Sequence, residues 1–326
     1  MRALLTRLST ALFLFWLVVS ITFVLVHLAP GDATTLLVPP DASPADAALL
    51  RGRLGLDAPV AVQYGRWTWS VVRGDLGTSF ATGRAVTSIL ADALPVSLAL
   101  GGISLLLSFV IGTTIGAAQA VRRGRPLDHL LTVVTTTVYA APSFWLALSL
   151  VALFTYGAAK WGFPEVLRLP AFGMRDPAGE ATGVAALMDL IRHAVLPVAV
   201  LTAVGAGGIA RYARSALADV VHADFVRTAR ARGAGPLRAL AGHALPVALP
   251  PLVILLALAL PGVIAGSVFV ESIFAWPGMG RAMLTAIAAR DYPVVMGATI
   301  VYAAMVIVAN LVADLMLPLL DPRRRR

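Results

Sequence analysis

Side chains with reactive chemistry are sparse in this sequence and widely separated. Its single lysine, Lys160, follows two alanines and precedes Trp161, so the G-x-x-x-x-G-K-[ST] loop that cradles nucleotide phosphates cannot occur. ATP hydrolysis by that route is excluded. No cysteine is present, which removes disulfides, thiolate metal sites and cysteine nucleophiles together. The histidines His27, His129, His193, His222 and His243 fall in different segments with no close H-x-x-x-H pair, so a zinc hydrolase centre is not expected. G-x-S-x-G is also missing. The sequence therefore predicts no catalytic, cofactor-binding or metal-ligating set.

The chemistry that remains is that of docking. The stretch from Asp224 to Pro251 reads DFVRTARARGAGPLRALAGHALPVALPP, a polar, arginine-rich interruption between two apolar segments. Gly233 stands where a helix would reach its C-terminal cap, with Arg230 and Arg232 in the last turn, where a cation meets the negative end of the helix dipole. Gly235 and Pro236 restart the chain, proline suiting a first helical position. Leu217, Val221, Phe225 and Ala229 recur at i, i+4 and predict an apolar row, while Asp219, Arg227 and Arg230 lie on another side. Asp224 and Arg232 fall close to that row. An apolar row of this kind can enter a partner's groove while guanidinium groups meet carboxylates at its rim.

The elements that must carry this segment are membrane spans. Hydrophobic residues make up 59% of the 326-residue chain and charged ones 13%, far from the composition of soluble domains. The net charge of +9 is read as arginines holding topology and not as a nucleic-acid surface. Six spans are expected: Ala11 to Ala29, Ala93 to Val121, Leu130 to Ala159 with a kink at Pro142, Ala194 to Ala210, Pro246 to Val270, and Tyr292 to Leu320. Small and hydroxyl residues such as Gly112 and Gly116 suit close helix contact. Residues 30–92 form a small extracytoplasmic subdomain on this reading, with a helix start at Ser43 to Asp46 and a second helix from Ala58 to Val72 carrying Tyr64, Trp67 and Trp69. Residues 93–320 form a core of five spans that includes the docking segment, 215–245, and residues 321–326 a basic cytoplasmic tail. With the N-terminus inside, the inside segments hold 15 arginines against four acids, whereas outside basic and acidic residues nearly balance, so the positive-inside rule places both termini in the cytoplasm.

Two other polar features stand out. Glu271 to Arg290 is too weakly apolar to be a span, and Trp276, Pro277, Gly278 and Met279 break it; the segment either folds over the outer mouth of a pathway or forms a surface loop with a short helix, and the first is the expectation. Asn310 and Asp314 lie one turn apart in the sixth span, Asp314 near its inner end, where pairing with a cytoplasmic arginine is expected. The other central span regions are free of ionisable residues, so a transporter built this way draws its energy from a partner's ATPase rather than from an ion relay of its own.

The docking segment resembles the cytoplasmic coupling segment, the EAA loop, of ABC importer membrane subunits. Gly233 aligns with the glycine of that pattern, and Leu245 and Pro246 with its Leu-Pro, His243 taking the hydrophobic position. Arg227 and Thr228 replace the glutamate and first alanine, and only Ala229 survives. Arg227 to Gly233, RTARARG, is instead similar to the form found in dipeptide, oligopeptide and nickel permeases. Leu54 to Asp57, Gln63 with Tyr64, Gly74 to Gly77, Glu271 to Arg281, Arg290 to Val295 and Asn310 to Arg323 resemble the same group, so the likeness spans nearly the whole chain. It implies an all-helical polytopic permease of a bacterial inner membrane, embedded in lipid. The resemblance also implies a homologous second permease, two ABC ATPase subunits that bind ATP and Mg, and an extracytoplasmic substrate-binding protein. Asp224, Phe225, Arg227, Ala229, Arg230 and Gly233 would then couple to the ATPase. The competing class is an ion-coupled carrier or channel that works without ATPases.

Overall fold

Apolar runs of this length can satisfy their backbone only within themselves when the solvent is lipid, and helices do so. The computed structural model describes residues 2–28, 45, 48–49, 52, 57–177, 179, 182–265 and 268–320. In chain order the helices are α1 (Arg2–Leu28), α2 (Val60–Val72), α3 (Val86–Val121), α4 (Pro126–Ala140) and α5 (Ser143–Val151), which continues through a π turn to Lys160. They continue with α6 (Gly183–Ala218), α7 (Asp224–Ala231), α8 (Pro236–Ala239), α9 (Leu245–Ala265), α10 (Val268–Ile273), α11 (Met279–Ala288) and α12 (Tyr292–Leu320). Six helical stretches among the described residues are long and apolar enough to cross a membrane: Ser9–Leu28, Val86–Val121, Ser143–Lys160, Gly183–His222, Pro236–Leu260 and Tyr292–Val312.

The third stretch departs from expectation. Pro142 does not kink one helix but separates two, because the residue before a proline is pushed out of the helical region and Ala141 adopts ψ 134°. Crossing length is reached only after that break. Spans two and four begin well before their apolar cores, at Val86 and Gly183, since polar residues at a span's end cost a helix nothing where water meets lipid. Of the helix start expected at Ser43 to Asp46 only Ala45 is among the described residues, where it is helical, and the basic tail at 321–326 lies outside them.

The chain divides into two compact units. One comprises Met1–Val96 and Pro277–Ile307. Here Phe23 of α1, 3% exposed, meets the edge of Tyr64 of α2 at 5.2 Å between ring centroids and Trp67 at 5.3 Å. Ser20 and Tyr64 share a hydrogen bond of 2.6 Å, so α2 lies along the first span. A second core joins Val86, Leu90 and Ala93 of α3 to Met279 and Ala286 of α11 and Val294 and Ala298 of α12. Asp291, in the turn between α11 and α12, fastens this unit: its carboxylate accepts from the Ser79 hydroxyl at 2.5 Å and from the amides of Phe80 and Ala81 at 3.0 and 3.2 Å.

The other unit comprises Ser97–Trp276 and Val308–Arg326. Within it α3 approaches α6 closely. A Cβ on Gly116 would come within 2.6 Å of the Ala213 Cβ, and one on Gly112 within 2.8 Å of the Ile209 Cβ, so these glycines set how closely the two helices approach. Glu271 of α10, 1% exposed, accepts a hydrogen bond of 2.7 Å from Ser97.

Candidate functional site

The docking segment is built where α6 runs out. After Ala218 the chain tightens into a 3-10 turn at Val220–His222, and Ala223 then turns extended, with ψ 152°, before α7 begins. The restart breaks the expected apolar row. Val226, 3% exposed, is the residue that turns inward, packing with Ala117 and Ala120 of α3, Leu217 of α6, and Ala239, Ala244 and Ala248 beyond. Ala229 is buried beside it, whereas Phe225 points out with 46% of its surface exposed. A row read across Leu217, Val221, Phe225 and Ala229 assumed one continuous helix, and the intervening turn resets the phase.

The end of α7 is closed as the glycine predicted. Gly233 has φ +92°, its amide donates to the Arg230 carbonyl and that of Ala234 to the Ala229 carbonyl, both at 3.0 Å. This is the paired bonding of a Schellman cap. Phe225, Thr228, Ala229, Arg232, Gly233, Ala234, Arg238 and His243 surround an open concavity of about 550 Å³. Asp224 and Arg227 are exposed and 3.7 Å apart, a separation at which a solvated pair contributes little. Arg230 is exposed as well. The result is a rigidly capped platform with an outward aromatic, a basic rim and an inward anchor.

Behind this platform lies a pair that the sequence reading passed over. Arg214 of α6 donates through Nε and Nη2 to the two carboxylate oxygens of Asp128, each at 2.8 Å. Asp128 is 1% exposed and also accepts from the Gly124 amide at 2.9 Å. The Arg214 guanidinium, and then the Gly124 amide, hold its carboxyl well below the usual carboxylate range against the opposing effect of burial. The stability this pair contributes is thus fully present above about pH 4 and is withdrawn as pH falls below it. Sequence signals for the pair were weak: an acid two residues before the predicted start of the third span and one arginine among many.

The four residues of the expected outer segment part company. Trp276 is 4% exposed, Gly278 is buried and Met279 is fully buried with Val86, Leu90 and Ala298, while Pro277 is exposed. Ala275 holds φ +54° at the end of α10, where its amide donates to Ser272 and that of Trp276 donates to Glu271 at 2.8 Å. That geometry ordinarily takes glycine. Ala275→Gly is therefore expected to raise the unfolding free energy by about 1 kcal/mol, read as a higher thermal midpoint in detergent; a lower midpoint would show the left-handed cap to be unstrained. Asn310 is exposed on α12, and Asp314 lies on the same helix with its side chain outside the described residues. Among the described residues no group of three or more histidine, aspartate or glutamate side chains is placed to hold a metal ion.

Comparison with known proteins places this architecture. Residues 109–326 match the model of the binding-protein-dependent transport system inner membrane component, and residues 1–101 match its N-terminal companion. The chain is 39% identical over 313 residues to the probable D,D-dipeptide transport system permease protein DdpB of Escherichia coli K12, covering 93% of this chain and 91% of the relative. It is 36% identical over 304 residues to the oligopeptide transport system permease protein AppB of Bacillus subtilis 168, covering 93% and 92%. Its fold is similar to that of the MetNI methionine ABC transporter in an inward-facing conformation, with TM-score 0.50 and 19% identity over 72% of this chain and 97% of that one. With six membrane-length apolar helices among its described residues, it is a multi-pass inner-membrane protein. The chain belongs to the family of binding-protein-dependent transport system inner-membrane components, the permease subunits of ABC-type importers.

Proposed function

We propose that this chain forms half of the pathway of an ATP-driven importer for peptides or related small solutes. It pairs with a homologous permease, receives substrate from an extracytoplasmic binding protein and is driven by two ATPase subunits, which hold the ATP and Mg. The observation that carries this reading is the α7 platform, with Phe225 exposed above a buried Val226 and Ala229 and with Gly233 capping it in a left-handed turn. A solvent-facing loop gains nothing from holding an aromatic ring outward on a fixed base. An interface does, because a preorganised anchor loses less freedom on binding. Closure of the ATPase dimer displaces the platform, and the spans alternate between outward and inward openings.

Peptides are favoured as substrate by the names of the relatives, two of which are described as dipeptide and oligopeptide permeases. Trp276, Pro277, Gly278 and Met279 retain the proposed role at the outer mouth, with exposed Pro277 the residue able to touch a partner and the buried Trp276 and Met279 holding the turn. Asn310, exposed on α12, is placed to meet lipid or the second permease.

Both termini and the platform belong on the cytoplasmic side in this reading. A chain without cysteine makes that directly testable. Arg232→Cys is expected to react with an impermeant maleimide only after the membrane is opened, and Ser43→Cys in intact cells. The opposite pattern would invert the topology. Affinity purification of the tagged chain from the same membranes is expected to retain an ATPase subunit, whereas recovery of an active transporter without one would favour an ion-coupled carrier.

A further inference from the structure

The Asp128 and Arg214 pair sits where three elements meet. Asp128 is in the first turn of α4, and its carboxylate also receives the Gly124 amide from the turn that ends α3. Gln119 of α3 donates to Thr132 of α4 at 3.0 Å, so the α3 to α4 turn is bonded on both sides. Arg214 lies one turn before the end of α6, the helix from which the platform hangs. On its other side the platform is packed through Val226 on Ala117 and Ala120 of α3. The platform is thus tied to the α3 to α4 turn by an apolar contact and, through α6, by a bidentate ion pair.

We propose that the Asp128 and Arg214 pair is the joint that transmits platform movement to the spans, making α6 and the α3 to α4 turn move as one body. The inference rests on the reading of the platform as the ATPase contact. A fork-to-carboxylate pair resists rotation as well as separation, because both N–H groups must keep both oxygens. Neither apolar packing nor a single hydrogen bond has that property, and a guanidinium facing only solvent would need no partner with 1% exposure. The two residues are positioning residues: they touch neither substrate nor nucleotide.

The absence of native cysteine allows the joint to be opened and closed in one preparation. Asp128→Cys combined with Arg214→Cys is reconstituted in vesicles with its sister permease, the ATPase subunits made cysteine-free, and the binding protein. It is assayed reduced, and again after bridging by a short bifunctional maleimide. The reduced form is expected to keep its ATPase subunits bound and to hydrolyse ATP at the basal rate, but to transport about tenfold more slowly, the scale on which changes along a coupling network act. Bridging is expected to return transport to within about threefold of the parental rate. Transport at the parental rate in the reduced form would overturn the proposal, as would a bridged form no faster than the reduced one. Loss of the ATPase subunits from the reduced form would also overturn it, by making the pair part of the docking surface. Failure of the platform reading shows separately: Phe225→Ala would then retain both ATPase binding and transport whatever the joint variants do.

Discussion

Phe225→Ala is expected to weaken binding of the ATPase subunits at least 30-fold while leaving the permease inserted and paired. The ring is 46% exposed, so its removal takes little packing from its own chain, and Val226, the inward anchor, is untouched. A buried aromatic anchor in an interface is commonly worth about 2 kcal/mol or more, which is that factor in a dissociation constant. Gly233→Val attacks the same contact from the backbone. No atom lies within 4 Å of where its Cβ would stand, so the cost is not a clash but the φ of +92°, which a β-branched residue resists. The Schellman cap then opens and α7 loses its fixed end. Gly233→Ala should be milder, and Arg230→Ala milder still, because an exposed rim charge contributes little. Equilibrium binding of the purified ATPase to permease variants in nanodiscs checks the order.

The second large effect is expected at Asp291. Asp291→Ala removes an acceptor that serves one hydroxyl and two backbone amides, leaving the buried Ser79 hydroxyl and the half-buried Phe80 amide short of a partner, at about 1–3 kcal/mol each when unpaired. Ala81 is exposed and can turn its amide to water, so the net loss is put at about 2–4 kcal/mol rather than at the full sum. The damage should be local to the segment between Thr78 and Ala85, the two residues joined by a single bridge. Amide exchange at Phe80 and Ala81 is expected to accelerate strongly in Asp291→Ala and less in Asp291→Asn, which keeps one carbonyl oxygen. Unchanged exchange in the alanine variant would show that the turn holds without the carboxylate.

Periodicity and punctuation made much of this molecule legible. Arg227 to Gly233 announced both the helix and its left-handed cap, because glycine after a run of helix formers has few other uses. Pro142 marked a discontinuity correctly but not its kind, since whether a proline bends or ends a membrane helix depends on what neighbours can satisfy the freed carbonyls. Phe225 and Val226 exchanged roles because the 3-10 turn at Val220–His222 shifts the helical phase, and three residues of turn leave no compositional trace. The buried carboxylates of Asp128, Glu271 and Asp291 were invisible for a different reason. Each is fixed by a partner 86, 174 or 212 residues away, and no local pattern records such a distance.

The source of the energy for transport separates an ATP-driven importer from an ion-coupled carrier. Vesicles containing this chain, its sister permease and the ATPase subunits are supplied with binding protein and a labelled dipeptide on the outer face, with ATP and Mg enclosed. Uptake is expected to require enclosed ATP, to stop with the binding protein omitted, and to collapse in Phe225→Ala. Uptake that proceeds without ATPase subunits under an imposed proton or sodium gradient would contradict ATP-driven import.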